Sequence, residues 1–210
     1  MKKGNPTRER TKVEKNEAVV YFTADTHFYH ENIITYCKRP FKNVEEMNEA
    51  IIANWNSVVR PVDCVYVIGD FIFGSPQKQV KRLVEIIKRL NGYIFLIKGS
   101  HDRLELYTPS ILGDDAERFH IFEDRLVTLS IDNQEIVLCH YAMRVWPKSH
   151  YGAWHLYGHS HGRLGEWGKS LDVGVDCWGF RPLSFFDIKS IMKGKPDNFD
   201  LAGMEEEEIS

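Results

Sequence analysis

Five short clusters of metal-type ligands recur along this chain in a fixed order: Asp25 with His27, Gly69-Asp70, Gly99-Ser100-His101-Asp102, His140, and Gly158-His159-Ser160-His161. Four follow closely on β-branched and aromatic runs: Val19-Val20-Tyr21-Phe22, Val65-Tyr66-Val67-Ile68, Tyr93-Ile94-Phe95-Leu96-Ile97 and Ile136-Val137-Leu138; Trp154-His155-Leu156-Tyr157 is a weaker fifth. Short apolar runs bounded by turn signals suit buried strands. Ligands in open α/β sheets gather beyond the carboxyl ends of the strands, so the pattern predicts one site at the edge of one sheet.

Between these strands the helical signals are clear. Ser75-Pro76 reads as an N-cap followed by a proline at the first helical position. Val80, Leu83, Val84, Ile87 and Leu90 then form an apolar face, ending at Asn91-Gly92. A second helix is expected over about 44–59, with Met47, Ile51, Trp55 and Val58 spaced to face a core. Strand, helix and strand from 63 to 98 make a βαβ unit with parallel neighbours. A hairpin follows over 126–131 and 135–138, turning at Asp132-Asn133, and strands are expected at 170–175 and 183–188. The sheet arrangement is therefore mixed.

The 210 residues, 43% hydrophobic and 27% charged, suffice to bury a core in one domain. That domain is expected over 18–192, between a charged N-terminal tail (1–17) and an acidic C-terminal tail (193–210) that ends in Glu205-Glu206-Glu207-Glu208. A net charge of −3 argues against bulk electrostatic binding of nucleic acid. No apolar stretch approaches the ~20 residues of a membrane span, and the N-terminus lacks a secretory apolar region; the expectation is a cytoplasmic protein with no membrane partner. Cys37, Cys64, Cys139 and Cys177 form no Cys-x-x-Cys pair and read as buried, reduced thiols.

The ligand chemistry can be argued from the residues. Asp25-x-His27 places two ligands on one face of an extended strand, because positions i and i+2 share a face, and His159-x-His161 repeats the device. Histidine nitrogen mixed with carboxylate oxygen suits Mn, Fe, Zn, Ni or Co better than Ca or Mg alone. Asp25, His27, Asp70, His140, His159 and His161 are too many ligands for one tetrahedral ion, so two divalent ions are expected, with Asp70 as the bridge. A metal pair roughly 3.5–4 Å apart clamps the attacking and leaving oxygens in phosphoryl transfer, and a bound water's pKa can fall to about 7. No side-chain nucleophile is then needed.

The order D-x-H, G-D, G-N-H-D/E, H, G-H-x-H resembles that of the calcineurin-like metallophosphoesterase superfamily, over about 19–188. The resemblance implies an α/β fold, a four-layer α/β/β/α sandwich of two mixed β-sheets flanked by helices, with a dinuclear site at one edge. It places Asp25, His27, Asp70 and His161 on one metal, and Asp70, His140, His159 and the asparagine position of the third block on the other. It places His101 near the leaving group and gives Asp102 the task of orienting it. The activity implied is hydrolysis of a phosphoester by a metal-bridging hydroxide, with manganese foremost among the ions. Here the asparagine position holds Ser100, whose neutral hydroxyl reaches one bond less far and is the weaker donor. Either a water fills the gap or the second metal is held less tightly.

Substrate contacts are sought beside the motifs. The 141–151 loop mixes cations and aromatics next to His140, which makes Arg144 a candidate phosphate contact and Arg163 a second. His30 and His150 are candidates to line the cleft. His120 and His155 read as packing or surface residues, and Glu31 and Asn32 as caps of a short helix. The expected partner is a small phosphoester, foremost a phosphodiester such as a small or cyclic nucleotide. The alternatives are a nuclease on DNA or RNA ends, marked by salt-sensitive binding, and a weakly active or non-catalytic interaction scaffold on the same fold. The sequence carries no sign of oligomeric state.

Overall fold

The apolar runs pair into two sheets in the computed structural model, which describes residues 17–165 and 167–198. In the first, β1 (Val20–Thr23), β2 (Cys64–Ile68), β3 (Tyr93–Ile97) and β4 (Phe119–Phe122) run parallel in the order β4-β3-β2-β1. In the second, β5 (Leu126–Ile131) and β6 (Gln134–Cys139) form the expected antiparallel hairpin, and β7 (Trp154–Tyr157) and β8 (Ser170–Asp172) continue it in parallel. A two-residue strand, β9 (Leu183–Ser184), lies antiparallel beside β1 and closes the first sheet. Both sheets are therefore mixed, and they stack as an α/β sandwich.

Alternation along each strand decides which layer a side chain joins. Val65 and Val67 of β2, with Ile94 and Leu96 of β3, face a helical layer of α1 (Glu31–Tyr36), α2 (Val44–Val58) and α3 (Pro76–Arg89). Ile68, Ile97 and Phe22 face the opposite way and meet Ile136, Leu138, Leu156 and Leu171 of the second sheet. Each fully buried side chain of this size stabilises by roughly 1.5–3 kcal/mol. Trp55, fully buried on α2, also donates its indole N–H to Asn91 O at 3.0 Å. The helix α5 (Phe185–Met192) packs Phe185, Ile188 and Met192 into the inter-sheet core, its Phe185 ring stacked on Trp154. On the outer face of the second sheet Val137 is covered by Trp146 and Ala153, from the segment after β6. A four-residue helix, α4 (Pro109–Leu112), lies between β3 and β4.

Several expectations need correction. The strand expected at 183–188 is two residues of strand and then α5, because Ser184 and Asp187 form a capping box: Asp187 N–H donates to the Ser184 hydroxyl oxygen at 3.1 Å, and Ser184 N–H to the Asp187 carboxylate at 3.1 Å. The α1 helix is led by His30 at its N-cap, with Glu31 and Asn32 already inside it, so neither caps it. Ser75 holds the N-cap position of α3 without a side-chain bond. The edge strand β4 had no strong sequence signal. The four cysteines are free but only half-buried. Residues 1–16 and 199–210 of the two expected tails lie outside the described residues. Residues 193–198 are packed rather than tail-like: Asn198 Nδ2 donates to Arg144 O at 2.9 Å, and Asp197 pairs with Lys169 at 2.5 Å. Among the described residues no helix is long and apolar enough to cross a membrane.

One carboxylate ties the start of β1 to that of β2. Asp63 accepts from Val19 N at 2.9 Å and from Arg60 N at 2.7 Å, besides the Arg60 guanidinium. Against the upward pull of burial, these bonds hold its carboxyl below the ordinary value. A lowered carboxylate contributes stability that is present above the unfolded value, about 3.9, and lost as pH falls through the folded one. Asp63→Asn is therefore expected to cost ~1–3 kcal/mol at pH 7, with a smaller gap to the native chain at about pH 3; urea melts at the two pH values read it.

Candidate metal centre

The strands stop short of the ligands. Asp25 and His27 follow β1 with φ of 57° and 49°, and Asp70, His159 and His161 have φ of 55°, 64° and 48°. This corrects the expectation that each Asp-x-His or His-x-His pair lies on an extended strand: alternate residues sit in the left-handed region, which curls the chain so that both side chains converge. That conformation costs a non-glycine residue on the order of 1 kcal/mol, and such strain collects at functional sites. The clusters also come from both sheets rather than one, three from β1, β2 and β3 and two from β6 and β7.

Two glycines let the loops after β2 and β3 touch. A Cβ on Gly69, whose φ is +86°, would lie 2.5 Å from both Gly99 Cα and His140 Nδ1, and one on Gly99 would lie 2.3 Å from Asp70 Oδ1. Only a residue without Cβ fits either place.

The ligands assemble into two groups. Asp25, His27 and His161 offer atoms all within 4.8 Å of one another, and so do Asp70, His140 and His159. Asp70 joins the groups, its Oδ2 lying 3.6 Å from His27 Nε2 and 3.3 Å from His140 Nε2. Ser100 reaches the same carboxylate, donating its hydroxyl to Asp70 Oδ2 at 3.0 Å, and His101 N–H donates to Oδ1 at 2.8 Å. His101 is exposed, as are Ser100 and His159, and its Nε2 lies 4.0 Å from Asp70 Oδ2.

The fit to metal ions rests on three buried atoms. Asp25 Oδ1, His27 Nε2 and His140 Nε2 have no hydrogen-bond partner among the described residues. An unpaired buried polar atom costs about 1–3 kcal/mol, and the three together make a donor set that a borderline divalent ion satisfies. The tautomers agree. His140 Nδ1 donates to Ile68 O at 2.8 Å and His161 Nδ1 to Asp176 Oδ2 at 2.7 Å, so that Nε2 is the nitrogen each would give to an ion on losing its proton. Burial pushes the Asp25 carboxyl up to about 7. Burial also works against charge on His140, but the Asp70 carboxylate outweighs it and raises His140 to about 9; the same pairing holds Asp70 well below the carboxylate range.

Behind this set lies a shell that motif reading missed. Arg39, buried, donates Nε and Nη2 to the two Asp176 oxygens at 2.8 Å each, and Nη2 also to Asp25 O at 2.7 Å. Asp172 accepts from Ser160 Oγ at 2.7 Å and from Gly162 N and Gly174 N at 2.8 Å each, pinning the 158–162 turn. The signal was present: Asp172 and Asp176 stand at and just past the end of β8, as the ligands stand past theirs. Asp176→Asn is expected to weaken binding of manganese to the first group roughly 10–100-fold, read by calorimetric titration; an unchanged affinity would remove Asp176 from this role.

No hydrogen bond joins the Asp102 carboxylate to the His101 ring; it accepts instead from the N–H groups of Asp70 (2.7 Å), Phe71 (3.0 Å) and Gly99 (2.8 Å) and from Tyr107 OH (3.3 Å). It fastens the β2 and β3 loops together, which places Asp70 and His101.

Of the substrate candidates, His30 reaches the site. It stacks on Phe73 at 3.9 Å, with Nδ1 3.3 Å from His27 Nδ1, and burial lowers it to about 4. Arg163 is turned to α1, donating to Tyr36 O. Arg144 holds its guanidinium carbon over the Trp167 ring at 3.8 Å, and the His150 ring meets that of Tyr151 at 4.1 Å, tilted by 46°. These aromatic partners, distant in sequence or local to a turn, hold both side chains. His155 is a packing residue as expected, its Nδ1 3.1 Å from Val137 O, and His120 is exposed and stacks on Phe95.

No family model matches the chain. Gene 66 protein of Mycobacterium phage L5 is 25% identical over 187 residues, covering 76% of this chain and 87% of that protein. Among solved structures, a protein of unknown function, AQ665 from Aquifex aeolicus, superposes with a TM-score of 0.62 at 23% identity, over 83% of this chain and 100% of that one, and shares the fold. The uncharacterized protein MJ1445 of Methanocaldococcus jannaschii is 36% identical over 188 residues, covering 84% of this chain and 93% of its own length. At that identity and coverage the chain belongs to the same family as MJ1445.

Proposed function

We propose that this protein is a metal-dependent phosphoesterase that hydrolyses phosphodiesters, with manganese as the working ion. The observation that carries the reading is the trio of unpartnered buried ligand atoms: His27 Nε2 and His140 Nε2, both within 4 Å of the Asp70 carboxylate, and Asp25 Oδ1, 3.9 Å from His27 Nε2. Asp25, His27 and His161 would hold one ion and His140 and His159 another, with Asp70 shared and Ser100 beside it. Divalent ions so held supply Lewis acidity toward a phosphoryl oxygen and acidify a water.

The chain's own residues do the rest. Ser100 Oγ and His101 N–H fix the Asp70 carboxylate in place. Asp176 and Ile68 O hold His161 and His140 in the tautomers that present Nε2. His101, exposed above Asp70, is the group placed to pass a proton from Nε2 to the departing ester oxygen. Phe73 and His30 wall the cleft on the side of the first group.

The test is hydrolysis of bis(4-nitrophenyl) phosphate with manganese, with and without a chelator. Turnover that is lost on chelation and restored by manganese is expected. Turnover indifferent to chelation, or none with metal bound, would overturn the reading.

A further inference from the structure

Exposed aromatic rings flank the candidate centre on both sides. Tyr141 directly follows ligand His140, and its ring meets those of His140 at 5.2 Å and His159 at 4.7 Å, both edge-on, yet 40% of the residue remains exposed. Tyr36, on the side of the first group, is 62% exposed at the end of α1, its ring 6.3 Å from that of His30 and perpendicular to it. His30 in turn touches His27. The Tyr36 backbone is pinned by Arg163, which donates to its carbonyl. Neither hydroxyl has a hydrogen-bond partner among the described residues.

A large ring left in water beside a polar cleft is an unspent binding surface. Base stacking on such a ring tolerates any planar face and adds affinity without hydrogen-bond readout. Arg144, by contrast, is drawn away onto Trp167, so the described cleft offers no guanidinium to a monoester dianion near the second group. Aromatic rings thus stand beside both ligand groups, Tyr36 next to His30 and Tyr141 next to His140 and His159.

We infer that Tyr36 and Tyr141 form two stacking subsites, one on each side of the scissile phosphate, and that the substrate is a linear phosphodiester carrying a nucleoside on at least one side. The inference rests on the phosphoesterase reading above and goes past it: a cyclic mononucleotide, whose phosphate is closed onto its own ribose and which carries one base, engages one ring, and a linear diester with a planar group on each side engages both.

The experiment compares two esters with the same leaving group and an alkyl ester on the other side: thymidine 5′-(4-nitrophenyl) phosphate and methyl 4-nitrophenyl phosphate, with manganese. The quantity read is the ratio of their kcat/KM values within each protein, which cancels any change in the shared chemistry. In the native chain the nucleoside ester is expected to lead on the order of tenfold, mainly through KM. Tyr141→Leu and Tyr36→Leu should together bring the ratio to near one, whereas Tyr141→Phe and Tyr36→Phe, which keep the ring, should preserve it. A ratio near one in the native chain, or one that the leucine variants leave unchanged, overturns the subsites while the phosphoesterase reading stands. Failure to hydrolyse either ester with metal bound overturns that reading, and the subsites with it.

Discussion

Asp70→Asn is expected to lower manganese-dependent hydrolysis by at least about 1000-fold while leaving the fold intact. The amide is close in shape to the carboxylate and its oxygen can still accept the His101 N–H that Asp70 accepts at 2.8 Å, so the backbone has no reason to move. What is lost is charge. Asp70 lies within 4 Å of ligands from both sets, His27 and His140, and a bridging carboxylate can give an oxygen to each ion where an amide offers only its carbonyl. A Lewis-acid metal supplies several kcal/mol of transition-state stabilisation, and each 1.4 kcal/mol or so is tenfold in rate; losing the bridge removes at least about three such factors. Steady-state kinetics at saturating manganese, beside a circular dichroism melt, separate this from unfolding. A variant within tenfold of the native rate would mean that Asp70 bridges nothing.

The second large effect runs the other way. Ser100→Asn is expected to tighten the second metal roughly tenfold or more, and to raise turnover when manganese is limiting. Ser100 Oγ spends its proton on Asp70 Oδ2 at 3.0 Å, and its oxygen is a short, neutral donor. An asparagine at the same place extends a carbonyl oxygen one bond further toward the group of Asp70, His140 and His159. The position is exposed, so the larger side chain has room toward the cleft. Metal titrations of the two forms compare the weaker binding step, and equal affinities would show that the hydroxyl suffices.

Much of this was legible because strand periodicity and ligand type are local properties. The runs before Asp25, Asp70, Gly99 and His140 became β1, β2, β3 and β6, and Met47, Ile51 and Trp55 are buried on α2 as their spacing required. The failures have physical causes. Residues 183–188 look like a strand until Ser184 and Asp187 are read as a capping box, a pairing only three residues wide. The left-handed turns at Asp25, His27, His159 and His161 are invisible to hydrophobic pattern, since nothing but convergence on one point demands them. Asp102 looked like a partner for its neighbour His101, but its carboxylate is consumed by backbone N–H groups of Asp70, Phe71 and Gly99. Arg39 and Asp176 lie 137 positions apart in sequence, and only the fold makes them one ion pair beneath the first group.

Anomalous scattering from crystals equilibrated with manganese tests the central claim most directly. The account predicts two peaks, one among Asp25, His27 and His161 and one among Asp70, His140 and His159, both touching Asp70. A third set, Cys37, His161 and Asp176, also has ligand atoms within 4.8 Å of one another. A single peak there, or none beside Asp70, would contradict the account.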